Sequence, residues 1–274
     1  SVVVFAANPA AFSTSETNHG VEAAARKRRF LLNIVSLDES DMESVEARVR
    51  MGLSIRPAGV VVYEYDQAGI AALDYIPKDM PKVVVGGSFG DGDYQIINAE
   101  RDGGRWMTMH LLDLGHKTVF YVGRVQGATD NTRANGWKDA LEERGIEAPE
   151  PIVVSDGNLE KAVKAGHELG RRGEATAIFA DSDETAIAVI RGLRETGRRV
   201  PDDVSVVGFD DRNFGALWEP SLTSYTQNFL DMGERSFRML FEQIQAKRTG
   251  ADMPPSQIEV VQGQPCLRAS EREI

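Results

Sequence analysis

Short apolar runs alternate with longer amphipathic stretches along the whole chain, and this alternation predicts strands followed by helices. Strands are predicted at residues 2–6, 30–35, 58–63, 82–85, 118–122, 152–154, 177–180, 204–209, 257–261 and 266–268. Helices are predicted from Ser15 onward and at residues 41–52, 68–75, 101–114, 131–144, 159–171, 184–196 and 229–247. Strands that alternate with helices of this length form parallel βαβ units. The predicted fold class is therefore α/β, with doubly wound parallel sheets.

A Gly- and Asp-rich segment at residues 89–93 interrupts this series, and a second set of strands and helices follows it. Domain boundaries fall in such segments, so we expect the first crossing between two domains there. The sequence itself does not repeat, but the architecture does, as two wound lobes in succession.

Two carboxylates, Asp210 and Asp211, follow the apolar run at 204–209. Ligands of open α/β sheets bind outside the carboxyl ends of the strands, so acids at that place are positioned to meet one. The alternative interpretation is that both acids only begin a loop or cap the next turn, as Asp often does. The residues alone leave both interpretations open.

Composition and charge exclude several classes of protein. The 274 residues are 42% hydrophobic and 7% aromatic, which is typical of a globular protein, and no apolar stretch approaches the roughly 18 residues of a membrane helix. The net charge of -11 argues against DNA binding by this chain itself, since such domains present a basic face. The RKRR cluster at 26–29 is predicted to be a solvated helix end. A single Cys266 and no visible secretory signal favour the cytoplasm.

The sequence shows no pattern typical of catalysis, metal binding or a nucleotide cofactor. The glycines at 86–92 match neither the dinucleotide fingerprint nor the phosphate loop, and the four histidines lack HExxH spacing. DSDET at 181–185 lacks the glycine that a calcium loop requires. His116 is predicted to be a structural residue at a helix-to-strand turn. We therefore expect no enzyme activity, no metal and no cofactor.

Several segments, in order along the chain, resemble the lactose-repressor/galactose-repressor (LacI/GalR) family of bacterial transcription regulators. They are GVEAAARKRRF at 20–30, LLDLGHKTVFYVG at 111–123, RANGWKDALEERGI at 133–146, TAIFADSDETAIAVIRGLRETG at 176–197, VPDDVSVVGFDD at 200–211 and PSLTSYTQ at 220–227. The resemblance implies a fold like that of type I periplasmic binding proteins, with two lobes joined by a three-strand hinge. It assigns residues 1–99 plus 228–258 to the N-terminal lobe and residues 100–227 plus 259–274 to the C-terminal lobe. An effector would bind in the cleft between them.

The family's binding pattern, matched residue by residue, implies that Arg133, Asp210 and Gln227 bind the effector. Ser182 and Asp183 stand where relatives commonly carry Asn followed by Asp. A polyhydroxylated ligand needs polar partners of this kind on rigid elements, and a guanidinium at position 133 could reach two hydroxyls or a carboxylate at once. The alternative is that Arg133 and Asp183 form a purely structural ion pair.

The sequence also departs from the family pattern at three places. Ser88 stands where many members carry an Asp, and the usual Asp-Asn pair before the helix at 101–114 reads Ala99 and Glu100. The segment that often supplies a stacking aromatic reads SDGN at 155–158. These departures leave the identity of the effector open.

Aromatic residues elsewhere could supply the stacking surface. Phe12 or Phe214 could cover an effector, or either could belong to the core. Asn8, in the polar loop before the first helix, completes the set of expected effector contacts. Trp218 is expected to pack within its lobe and not to touch ligand.

The resemblance implies that this chain is the ligand-binding and dimerisation core of a LacI-type DNA-binding transcriptional regulator. A sugar or similar small polar effector would close the cleft between the lobes and change operator affinity. The partners expected are this effector, a second copy in a homodimer, and operator DNA through an N-terminal headpiece that is not in this chain; no membrane partner is expected. The alternative is a solute-binding protein of a transport system, which has the same two-lobed architecture.

Overall fold

The computed structural model describes residues 1–38, 40–87, 94–125, 130–154 and 158–274, and it divides the chain into two compact units. Unit 1 contains Ser1–Asn98 and Asn228–Gln262, and unit 2 contains Ala99–Gln227 and Gly263–Ile274. The chain therefore passes between the units after residues 98, 227 and 262. The segment 89–93, Ser88 and the residues 155–157, on which sequence expectations were placed, lie outside the described residues.

Strands and helices alternate along most of the described chain. The strands are β1 (Val2–Ala6), β2 (Leu32–Ser36), β3 (Val60–Glu64), β4 (Lys82–Gly86), β5 (Gln95–Asn98), β6 (Phe120–Gly123), β7 (Ile152–Val153), β8 (Ala177–Ala180), β9 (Ser205–Val207), β10 (Ser224–Thr226), β11 (Ile258–Val261) and β12 (Gln264–Cys266). The α-helices are α1 (Phe12–Lys27), α2 (Val45–Ser54), α3 (Gln67–Asp74), α4 (Glu100–Asp113), α5 (Arg133–Glu143), α6 (Leu159–Arg171), α7 (Asp183–Glu195), α8 (Asn213–Leu217) and α9 (Phe229–Thr249). A short 3-10 helix, Met42–Ser44, precedes α2.

Unit 1 is built around a six-stranded parallel sheet in the order β11-β5-β4-β3-β1-β2. Alternate residues of β1 point to opposite faces of this sheet, and both faces are covered. Val2 and Val4 pack with residues of α1 and α9, whereas Val3 and Phe5 pack with residues of α2 and α3. This double coverage explains why β1 is an uninterrupted apolar run, all of it buried.

Unit 2 has a four-stranded parallel sheet in the order β7-β6-β8-β9, and a two-stranded antiparallel ribbon of β10 and β12. Tyr121 and Phe179 pack on one face with Trp137 of α5 and with α4, while Phe120 and Ile178 pack on the other face with α6 and α7. The sheet of unit 2 is therefore doubly wound like that of unit 1, with helices packed on both of its faces.

The structure corrects several local predictions. The first helix begins at Phe12, and its N-cap is Ala11 without a side-chain cap, so Ser15 does not start it. The run at 204–209 forms a strand only over Ser205–Val207. Glu259 and the rest of β11 belong to unit 1 and not to the C-terminal lobe, because β11 pairs with β5 along its whole length. The short elements β5, α8 and β10 were not predicted.

None of the described helices combines the length and apolar character needed to cross a bilayer.

Candidate functional site

Polar side chains collect where strands of unit 2 end. Asp181 comes directly after β8, and Asp210 follows β9 by three residues. The N–H of Asp181 donates to the carbonyl of Val122 in β6 over 3.0 Å, and its Oδ2 accepts from the main-chain N–H of Arg124 over 2.8 Å. Parallel pairing of β6, β8 and β9 therefore brings the acids to one edge of the sheet, as expected for a ligand site in this architecture.

Arg133 is the first residue of α5 and is fixed by its surroundings. Thr132 is the N-cap, and its side chain accepts from the N–H of Asn135 over 3.1 Å. The guanidinium carbon lies 4.1 Å from the centre of the Phe209 ring, a cation–π distance, and Phe209 is completely buried. Only 12% of the Arg133 side chain is exposed. The guanidinium is consequently held rigidly at the strand ends.

Two carboxylates and a carbonyl accept from the terminal nitrogens of Arg133. Nη2 donates to Oδ1 of Asp210 over 2.9 Å and to Oε1 of Glu100 over 3.1 Å. Nη1 donates to the main-chain carbonyl of Asp181 and, over 3.4 Å, to Oδ2 of Asp210. The contact with Asp210 is therefore two-pronged, which fixes its geometry as well as its charge. Arg133 pairs with Asp210 and Glu100, and the alternative of a structural pair with Asp183 is wrong.

Asp210 is held by the chain on its other side as well. Its Oδ1 accepts from Nε2 of Gln227 over 2.7 Å, and its N–H donates to the carbonyl of Tyr225 over 2.9 Å. Its φ is +89°, and that of Asp211 is +50°, so both acids have left-handed backbone conformations that are uncommon outside glycine. Such conformations cost on the order of 1–3 kcal/mol each and persist only where the surroundings enforce them. The carboxylate is thus held in an otherwise unfavourable position.

The charges of this cluster act on one another. Burial by itself would lower the pKa of Arg133, but the negative charges of Asp210, Glu100 and Asp181 outweigh burial and raise that pKa above its usual value. Burial raises the pKa of Asp181, while the N–H of Arg124 and the charge of Arg133 oppose the shift. Arg133 therefore remains charged at every physiological pH.

Asp183 and Ser182 were expected to contact the effector, but in the structure their side chains form hydrogen bonds with other residues of unit 2. Ser182 caps α7, since its Oγ accepts from the N–H of Thr185 over 3.3 Å. Asp183 is fully buried, and its carboxylate accepts from Oγ of Ser224 over 2.6 Å and from the N–H of Arg212 over 2.5 Å. Burial raises the pKa of Asp183 to about 7. In this structure both side chains therefore hold the loop after β9 and the start of α7.

Asp211, the second acid after β9, is also engaged within unit 2. Its Oδ1 lies 2.6 Å from Nη2 of Arg268, and its Oδ2 accepts from Oγ1 of Thr226 over 2.9 Å. Burial would raise the pKa of Asp211, but the hydrogen bonds from Arg268 and Thr226 outweigh it and lower that pKa. Of the two acids, Asp210 is the one at the Arg133 cluster.

The remaining expected contacts are distributed over both units. In unit 2, Phe214 of α8 is half-buried, 5.2 Å below the guanidinium of Arg212. In unit 1, Asn8 is exposed in the loop before α1, and Phe12 packs edge-on against Phe229 with ring centres 5.9 Å apart. Trp218, expected inside its lobe, is 37% exposed. The structure therefore brings together Arg133, Asp210 and Gln227 of the expected set.

Two residues of the cluster were missed by sequence reasoning. Glu100 stands out in the sequence only as a departure from the family pattern, and Asp181 was passed over in favour of Ser182 and Asp183 beside it. The signal for Asp181 is its place immediately after the buried strand β8. Glu100 carried no comparable signal, because it lies in α4, 33 residues before Arg133.

The acids of this cluster do not form a metal site with their described neighbours. Within the residues that the structure describes, no group of three or more His, Cys, Asp and Glu side chains is arranged to hold a metal ion. The cluster instead offers carboxylate oxygens beside a fixed guanidinium, which suits a hydrogen-bonding ligand.

Comparison with known proteins places this geometry in a family. A profile of the periplasmic binding protein-like domain matches residues 108–270. The HTH-type transcriptional regulator CelR of Thermobifida fusca is 30% identical over 256 residues, which cover 87% of this chain and 75% of CelR. The chain belongs to the LacI family. The resemblance seen in the sequence motifs is confirmed.

Solved structures support the fold of this LacI-family chain. A dimeric Lac repressor matches it with a TM-score of 0.86 at 22% identity over 100% of both chains. A complex of the transcriptional regulator CelR with cellobiose matches with a TM-score of 0.82 at 26% identity, over 98% of this chain and 84% of that one. The predicted fold class is confirmed. Since the relatives are transcriptional regulators and not enzymes, the prediction that the chain is not an enzyme is confirmed too.

Proposed function

We propose that this LacI-family chain is the effector-binding and dimerisation core of a DNA-binding transcriptional regulator, with a sugar or related small polar molecule as effector. The observation that carries the proposal is the carboxylate of Asp210, which Arg133 and Gln227 hold at a strand end of unit 2. The Asp210 side chain remains 15% exposed, so its oxygens can accept from a ligand hydroxyl.

A polyhydroxylated effector fits this chemistry. Sugar hydroxyls donate well to carboxylates, and rigidly placed acceptors bind them with little loss of side-chain entropy. The structural neighbour CelR was solved in complex with cellobiose, and another structural neighbour, a LacI family regulator from Enterococcus faecium, was solved with ribose. These complexes support a sugar-like effector for this chain without indicating which sugar.

The regulatory step that we propose is closure of the two lobes over the effector. A ligand changes an equilibrium only through its different affinities for the two states, so the effector must bind the closed arrangement more tightly. Closure would then change the affinity for operator DNA, which an N-terminal headpiece contacts in the cytoplasm. The net charge of -11 supports a division in which this part of the regulator binds effector and leaves DNA to the headpiece.

A homodimer is the proposed assembly, and unit 2 has an exposed apolar surface suited to it. Leu217 is 87% exposed and Trp218 37%, and Trp218 lines a groove with Leu159 of α6 and Ile187 of α7. Apolar groups of this size on one surface favour contact with another protein. Two-fold dimers also match the paired half-sites read by helix-turn-helix proteins.

The proposal is tested by a thermal-shift screen of neutral sugars and polyols, followed by calorimetry of those that raise the melting temperature. We expect a sugar to bind, and Asp210→Ala and Arg133→Ala each to weaken binding by roughly 1.5–3 kcal/mol. Glu143→Gln, at an exposed pair with Arg105, is the matched control and should leave affinity unchanged. Unchanged affinity in both site variants would contradict the assignment of the site.

The regulator and the solute-binding alternative are distinguished on the full-length protein. We expect the same sugar to change operator affinity in a gel-shift assay, and the Asp210→Ala variant to lose this response at sugar concentrations that saturate the wild type. A full-length protein that binds sugar but no DNA would favour a solute-binding protein of a transport system.

A further inference from the structure

Arg133 has few hydrogens left for a ligand. A guanidinium carries two N–H groups on each terminal nitrogen and one on Nε. Nη2 donates to Asp210 and Glu100, and Nη1 donates to Asp210 and to the carbonyl of Asp181. Nε is buried and has no hydrogen-bond partner among the described residues. A ligand could therefore bond to the terminal nitrogens only by displacing one of the acceptors already present.

Negative charge outnumbers positive charge around this guanidinium. The carboxylates of Asp210, Glu100 and Asp181 all act on Arg133. Arg124 also acts on Asp181, so among the described residues named here there are two cations and three carboxylates. The Glu100 side chain is 25% exposed and that of Asp210 is 15% exposed, against 12% for Arg133, so both carboxylates are at least as accessible to a ligand as the guanidinium.

An anionic ligand would be opposed at this surface in two ways. Its phosphate or carboxylate would have to replace Glu100 or Asp210 on Arg133, and it would meet the displaced carboxylate at short range. Like charges repel strongly where partial burial lowers the effective dielectric constant and salt screens little. A hydroxyl or ammonium group would instead donate to the carboxylates without disturbing Arg133.

We infer that Glu100 and Asp181 are specificity-determining residues that make this site accept hydrogen-bond-donating effectors without negative charge and exclude sugar phosphates and sugar acids. Arg133 is then a positioning residue that aims the carboxylates, which differs from the sequence expectation that its guanidinium reaches the ligand. This inference rests on the proposed role of the Arg133, Asp210 and Gln227 cluster in effector binding.

The test measures anion binding directly, with inorganic phosphate and glucose 6-phosphate as probes and glucose as the uncharged comparison. The proteins are the wild type, Glu100→Gln, the double variant Glu100→Gln/Asp181→Asn, and the double variant with Arg133→Met added. Glu147→Gln/Glu150→Gln changes the net charge by the same amount at exposed positions after α5 and is the matched control. Melting temperature is recorded against probe concentration, and apparent Kd values follow from calorimetry.

We expect no saturable effect of either anion on the wild type or on the matched control. The double variant should bind glucose 6-phosphate at least about tenfold more tightly than the wild type, because two repelling charges are gone and Nη2 no longer donates to a carboxylate at position 100. Adding Arg133→Met should abolish the gain. The single variant Glu100→Gln should show a smaller gain, which keeps the test decisive if the double variant folds poorly.

Two results would overturn the inference. One is saturable binding of phosphate or glucose 6-phosphate by the wild type that Arg133→Met, introduced alone as a further variant, removes. The other is a folded variant that lacks Glu100 or both acids and gains no anion binding. Failure of the proposed function would give a different result. A chain that binds no neutral sugar would contradict the proposed function, whereas the anion affinities of the variants would still test the inference.

Discussion

Gln227 donates from Nε2 to Oδ1 of Asp210 over 2.7 Å, and the same oxygen accepts from Arg133 over 2.9 Å. Gln227 is the last residue of unit 2 before the chain enters unit 1 at Asn228. The acid of the site is thus bonded directly to the residue at a unit boundary. A ligand that alters the position of Asp210 would therefore act on residues at that boundary, through Gln227 and through the bond from the Asp210 N–H to the carbonyl of Tyr225.

The pair of Asp210 and Arg133 is expected to stabilise unit 2. Asp210→Asn keeps the shape of the side chain and tolerates the positive φ, but removes the charge opposite a guanidinium that is 12% exposed. We expect a loss of about 2 kcal/mol in the free energy of unfolding, measured by urea denaturation. Asp139→Asn, at the more exposed pair with Arg101, should cost less than about 1 kcal/mol. Equal losses in the two variants would contradict the prediction.

Close contact between α4 and α5 is expected to position Arg133. A Cβ at Gly104 would lie 2.3 Å from the carbonyl oxygen of Arg133, so Gly104→Ala must push the start of α5 away. We expect a stability loss of roughly 1–3 kcal/mol and weaker effector binding by calorimetry. Gly173→Ala, where a Cβ meets nothing within 4 Å, should change neither quantity appreciably. Full stability of Gly104→Ala would show that the helices can separate at little cost.

Asp183 is expected to make stability fall as pH rises toward neutrality. Its pKa is raised from 3.8 to about 7 by burial, so between these values the folded protein binds more protons than the unfolded chain. The free energy of unfolding therefore decreases as pH rises through this window, by at most about 4 kcal/mol. Asp183→Asn should remove that slope in urea denaturation at a series of pH values. A variant with the slope of the wild type would rule out this linkage.

His116 is expected to act in the opposite direction. It is buried, and its ring nitrogens lie 2.9 Å from Oγ1 of Thr176 and 3.1 Å from Oγ of Ser205. Burial lowers its pKa below 6.5, so the unfolded chain takes up the proton first as pH falls. Stability from the neutral ring is present above pH 6.5 and is lost below it. His116→Gln should lose less stability than the wild type on acidification, by denaturation at matched pH.

The proposed dimer predicts a change of mass on substitution at the exposed apolar surface of unit 2. Leu217→Glu places a charge where a partner would bury a side chain that is now 87% exposed. We expect the wild type to sediment as a dimer and this variant to dissociate at least about tenfold more readily. Leu267→Glu, at a position directly after β12 that is 54% exposed, is the control. If the wild type and both variants sediment identically, the exposed apolar surface of unit 2 is not the dimer interface.

Sequence patterning was sufficient for the α/β elements because the signal is local. A run such as Val2–Ala6, apolar at every position, suits a strand covered on both faces. The ends of the elements were harder to predict from the sequence. Helix α1 begins at Phe12 without a side-chain cap, so no local residue marks its start. The lobe boundary was placed inside β11, after residue 258, because the strand's partner, β5, is more than 150 residues away.

The family motifs identified Arg133, Asp210 and Gln227 as residues of the site. They did not predict in which direction the neighbouring side chains point. Ser182 and Asp183 follow a strand end as predicted, yet one caps a helix and the other is buried on Ser224. Which way a side chain points depends on what packs against it, and that is a property of the whole unit.

The sequence by itself determined the alternating strands and helices, the family, and an acid after a buried strand, because each depends on neighbouring residues or on contiguous motifs. The tertiary structure alone decided that Arg133 is shared by Glu100, Asp181 and Asp210, residues up to 77 positions from it. The physical reason is that parallel strands align their carboxyl ends whatever the length of chain between them, so the charge balance of the site is set by the sheet and the helices packed on it.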